Sequence, residues 1–101
     1  MEPTESLQWH IPESSPDEIV RTYAKLVRQI PDVKVWARVD GTRVHLITAV
    51  PDKREFERAV YAAELQMMDR YGSEAVSFDV YRASMPAEEA AADARLVLSS
   101  N

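Results

Sequence analysis

The chain of 101 residues has no cysteine, only two glycines and only two histidines, and each scarcity removes a class of chemistry. Without a thiol there is no disulfide framework, no thiolate nucleophile and no zinc centre of the cysteine type. Gly41 and Gly72 fall where a tight turn and a helix end need them, which leaves none for a glycine-rich phosphate cradle. His10 and His45 have neither helical spacing nor an acidic loop of EF-hand type beside them, so neither a metal site nor a cofactor is read. Bases are in deficit as well, 12 against 17 acids, and a net charge of -5 repels polyphosphate unless the bases gather on one face. No run reaches the roughly eighteen apolar residues of a membrane span. Residues 1–5 lack the basic and apolar regions of a secretory signal, so the expected address is cytoplasmic and no membrane partner is read.

What is present suits one globular core. Hydrophobic residues make up 46% and charged residues 29%, the balance of an ordinary domain able to close on itself. Residues 1–101 are read as a single domain, with 1–5 frayed and 86–101 a helical extension or tail. Arginine in excess over lysine, with abundant alanine, hints at a bacterial source and carries no mechanism.

Periodicity then orders the elements. Leu7, Trp9 and Ile11 alternate with polar residues as in a half-buried strand. Ser15-Pro16-Asp17-Glu18 is a helix start, with a serine cap, proline at the first helical position and glutamate at the third. Ile19, Val20, Tyr23, Leu26, Val27 and Ile30 follow at helical spacing. Residues 33–39 and 42–50 form a hairpin about Asp40-Gly41, read as a type I′ turn. That register sets Ala37 opposite Val44 on one face, and Arg38 opposite Arg43 and Trp36 opposite His45 on the other. A second capping box at Asp52-Lys53-Arg54-Glu55 opens a long helix whose Phe56, Val60, Ala63, Met67 and Tyr71 form one stripe. Tyr61, Leu65 and Met68 lie off it and suggest a second contact. Residues 75–82 alternate again, and the alanine-rich 87–98 reads as helix. The fold class is α+β, a two-layer (β)αββαβ(α) sandwich with two helices on one face of a mostly antiparallel sheet. If residues 7–11 join it, the pattern is ferredoxin-like.

Function is expected on the sheet face opposite the helices. Trp36, Arg38, Arg43, His45, Ile47, Asp79 and Tyr81 gather there, and aromatics interleaved with charge have the composition of an interface. A homodimer or a protein partner is the first reading, with a carboxy-terminal helix folded back over the face as its structural alternative. Single-stranded nucleic acid stacking on Trp36 and Tyr81 is the second, opposed by the charge sign and by the missing recognition motifs. A small anion held by Arg38, Arg43 and His45 is the third. No catalytic residue is assigned. Ser77, His45 and Asp79 would form a Ser-His-Asp set only if the imidazole lay between two residues of one strand face, with no glycine nearby for an oxyanion hole.

Overall fold

A computed structural model describes residues 15–82 and 87–99. Its elements are α1 (Pro16–Val27), β1 (Lys34–Asp40), β2 (Arg43–Val50), α2 (Arg54–Tyr71), β3 (Val76–Arg82), the single turn α3 (Ala87–Ala90) and β4 (Arg95–Ser99). The strands form one mixed sheet in the order β3-β2-β1-β4, with α1 and α2 packed together on one face. The α+β, two-layer reading therefore holds.

The first helix begins as its sequence dictates but ends at Val27, three residues before the Ile30 that closes its apolar stripe, whereas the second ends as its sequence dictates and begins otherwise. Ser15 Oγ accepts the Glu18 N–H at 3.2 Å, satisfying one of the orphan amides at the start of α1. Gly72 closes α2 at φ 90, and its N–H donates to the Met68 carbonyl. The capping box expected at Asp52 is not made: Lys53 occupies the cap position without a side-chain bond. Asp52 is drawn instead to Arg82 at 3.2 Å, a charge pair with the end of β3.

The hairpin keeps its faces but changes its partners. Asp40 pairs with Arg43, so the two loop residues are Gly41 and Thr42 rather than Asp40 and Gly41. Gly41 alone in this loop has positive φ, at 67, which is the type II′ pattern and not type I′. Every pairing shifts by two residues: Arg38 meets His45, Trp36 meets Ile47 and Ala37 meets Leu46. A shift of two preserves the pleat, so the division of residues between faces survives.

On the helix side, Val35, Val44, Leu46, Val60 and Met67 are fully buried around Tyr23. The Tyr23 and Thr48 hydroxyls are 2.6 Å apart within this core. Burial holds the Tyr23 hydroxyl well above its usual pKa, so it stays protonated at every pH the fold meets. Tyr23→Phe is expected to lower the unfolding free energy by about 1–3 kcal/mol, because Thr48 Oγ1 is left buried and unpaired. Adding Thr48→Val should restore part of that loss in urea denaturation.

β2, α2 and β3 make a parallel βαβ unit, with Val44 level with Val76 and Thr48 level with Val80. β2 and β3 are direct neighbours, whereas the split, ferredoxin-like pattern sets a strand between them. That arrangement is not confirmed, and its strand at residues 7–11 lies outside the described residues. The helix expected over 87–98 is corrected: one turn at Ala87–Ala90 gives way to β4, which pairs antiparallel with β1. Alanines favour the turn, but Leu96, Val97 and Leu98 meet the free edge of β1, and strand pairing outweighs local propensity.

Candidate functional site

The seven residues assigned to the outer face do share it, but the structure divides them. At one end, Trp36 and Ile47 are covered by Ala87 and Ala91, with Ala49, Tyr81 and Ala94 packed around them. Trp36 is 8% exposed and Ile47 1% exposed. The expectation that they are accessible anchors is therefore corrected: they form a second small core. The cause is legible in the covering segment, whose alanines let its backbone approach the indole closely. Arg38 fastens this cover, its Nη1 donating to both Asp93 carboxylate oxygens at 3.0 and 3.2 Å. Lys34 and Glu88 add a long contact of 3.9 Å. Asp93→Ala is expected to cost at most about 1 kcal/mol, as exposed ion pairs do, and to leave the fold intact by circular dichroism.

At the other end the face remains polar. Arg43 stands opposite Asp40, not opposite Arg38, so the paired arginines that suggested an anion site do not exist as a pair. His45 lies between Ser77 and Asp79, with Nδ1 2.7 Å from Ser77 Oγ and Nε2 2.8 Å from Asp79 Oδ2. The geometry doubted from sequence is thus present, because parallel pairing sets His45 level with Ser77 and two residues short of Asp79, on the same face. An oxyanion site is a separate requirement. Val44 N–H donates to the Ala75 carbonyl at 2.9 Å, and in a parallel ladder that pairing turns the backbone of Ser77 and Asp79 toward β2. The Ser77 and Asp79 amides are consumed in the sheet, whereas those of Val76 and Phe78 on either side of Ser77 are not, and the three side chains form a hydrogen-bonded row on the polar face.

The same alternation turns the N–H and C=O groups of Val76, Phe78 and Val80 outwards. Among the described residues, no strand pairs with that side of β3. The flank of α2 lies alongside this edge. Arg82 fixes the relation, donating to both Glu57 carboxylate oxygens at 2.7 and 2.9 Å. These bonds hold the Glu57 carboxyl below its usual range. One to three turns further along the same flank stand Tyr61, Glu64, Leu65 and Met68. Tyr61 is 48% and Leu65 65% exposed, whereas Met68 is half-buried against the core. Glu64 is half-buried, and its Oε2 is enclosed without a hydrogen-bond partner among the described residues. Desolvation, then the nearby Asp79 charge, pushes its carboxyl up to about 7.

From the sequence Glu57 and Glu64, seven residues apart on one helix side, read as solvated carboxylates; that is corrected at Glu64, which is half-buried with its carboxyl raised, and the β3 edge is not read at all. The off-stripe positions of Tyr61 and Leu65 were the available signal.

A pocket of about 320 Å³ opens at the opposite end of the sheet, lined in part by Trp36, Lys34, Arg82 and Glu88. Its cations are already paired, Arg82 with Glu57 and Asp52 and Lys34 with Glu88. Among the described residues no three potential ligands converge on a metal position, and no helix is long and apolar enough to cross a membrane. The chain is an α+β domain with a mixed four-stranded sheet. It matches no protein-family model, no curated protein and no solved structure.

Proposed function

We propose that this chain is a non-enzymatic protein-interaction domain that accepts an extended segment of a partner protein along the outer edge of β3. The observation that carries this reading is a row of outward-turned backbone groups lying beside exposed Tyr61 and Leu65. Unpaired strand edges are templates for strand addition, which joins main-chain hydrogen bonds to pockets for alternate side chains. The α2 flank supplies the apolar half of such a site and makes the surplus width of that helix intelligible. Buried Trp36 and an acidic edge both count against single-stranded nucleic acid, and the separation of Arg38 from Arg43 counts against an anion sensor.

Amide hydrogen exchange during titration with a short alternating threonine–valine peptide tests the reading. Exchange at the Phe78 and Val80 amides is expected to slow by about tenfold or more while other exposed amides are unchanged. Val80→Pro should abolish the effect, because it removes an outward donor yet leaves the ladder to β2 intact. Leu65→Ser should weaken it with little change in stability. Unaltered exchange at both amides in the presence of saturating peptide would sink the proposal.

A further inference from the structure

Resting on that reading, we propose that the strand accepted by β3 is basic, with apolar residues turned toward Tyr61 and Leu65 and lysines or arginines turned toward Asp79. Two acids line the edge on either side of its backbone. Glu64 approaches from α2 on the helix side, while Asp79 stands on the outer face, with 52% of its side chain exposed and one oxygen on His45. Arg82, at the end of the strand, is already held by Glu57 and Asp52 and has no charge to spare for them. The two carboxyls are close enough to repel, and that repulsion is among the causes that raise Glu64.

This sign distinguishes the occupants of the edge. A second copy pairing β3 with β3 across a two-fold axis would bring Glu64 and Asp79 of both chains into one seam, so like charges oppose it. A basic strand neutralises Asp79 on the outer face and thereby removes the repulsion that Asp79 exerts on Glu64. An incoming strand alternates its side chains, and those turned to the α2 side meet the apolar ledge while those turned to the outer face run past Asp79. The preferred partner therefore alternates apolar and cationic residues, and a partner with acids in the cationic positions is rejected.

Three short peptides of one length decide the matter in fluorescence anisotropy: alternating lysine–valine, threonine–valine and glutamate–valine. The lysine peptide is expected to bind about tenfold more tightly than the threonine peptide, and the glutamate peptide more weakly than either. Raising salt from low to physiological strength should narrow that spread. Asp79→Asn combined with Glu64→Gln should remove the preference for lysine, bringing the lysine- and threonine-peptide affinities to within about twofold of each other. Equal affinity for the lysine and threonine peptides would overturn the charge assignment while leaving strand addition standing; failure of all three to protect Phe78 and Val80 would overturn both. Phe78 and Val80 amides already protected in the free protein would also overturn it. Protection independent of concentration would then assign the edge to this chain's own residues 7–11, and protection that rises with concentration to a second copy.

Discussion

Trp36→Ala is expected to lower the unfolding free energy by about 3–5 kcal/mol, a large share of the roughly 5–15 kcal/mol that holds a small domain. The indole is sealed between the sheet and the segment that carries Ala87 and Ala91, and it touches Ile47 beneath them. Truncation removes transfer energy and leaves a space that alanines cannot fill, because the covering side chains are already the smallest that bury apolar surface. The loss should extend beyond the site. Without the indole, the cover keeps its smaller contacts with Ile47 and Tyr81, the Arg38–Asp93 pair, the long Lys34–Glu88 contact and the pairing of β4 with β1, so amides in 87–99 should exchange faster than those of α1 or α2. Guanidinium denaturation followed by circular dichroism measures the first effect and hydrogen exchange the second. If the variant unfolded at the same denaturant concentration as the parent, Trp36 would lie in solvent and regain its claim as an interface anchor.

The contrast at Trp36 shows which parts of this fold were legible. Local signals were read well: the Ser15 cap, the stripe of Ile19, Tyr23 and Val27, the glycine at the end of α2 and the alternation of residues 76–82 all depend on neighbours in sequence. The division of residues between sheet faces was legible too, since a register error of two leaves every side chain on its own face. What failed depended on contacts between distant segments. Residues 95–99 become a strand because β1 offers an edge, and no property of those five residues alone reveals that edge. Asp52 leaves its cap for Arg82, thirty residues away. Trp36 and Ile47 have the composition of an interface and are one, but the surface they meet belongs to the same chain. Likewise the hydrogen-bonded row of Ser77, His45 and Asp79 follows from a parallel register between β2 and β3 that spacing in sequence does not specify.

Glu64 carries the other large effect, and its sign is opposite to that of a salt-bridged acid. Its carboxyl sits at about 7 in the folded chain against an ordinary value of 4.5, so between those limits the folded state binds more protons than the unfolded one. Stability should therefore fall as pH rises from about 4.5 through 7 and level off above. Because the group is half-exposed and water screens part of the penalty, the expected loss is about 1–2 kcal/mol. The charged and titratable groups that bear on it are Asp79 from β3, with His45 of β2 behind it, and Tyr23 from α1. Tyr23 stays protonated throughout this range. Glu64→Gln keeps the shape and removes the charge, so it should stabilise the domain by that amount at pH 8 and change nothing at pH 4.5. Asp79→Asn should reproduce only a minor part of the gain, since desolvation outweighs repulsion in raising the carboxyl. Thermal unfolding of the three proteins across this pH range separates the contributions. A Glu64→Gln protein whose advantage was the same at both ends of the range would show that the carboxyl is solvated, and that the ledge beside β3 is wetter than its geometry implies.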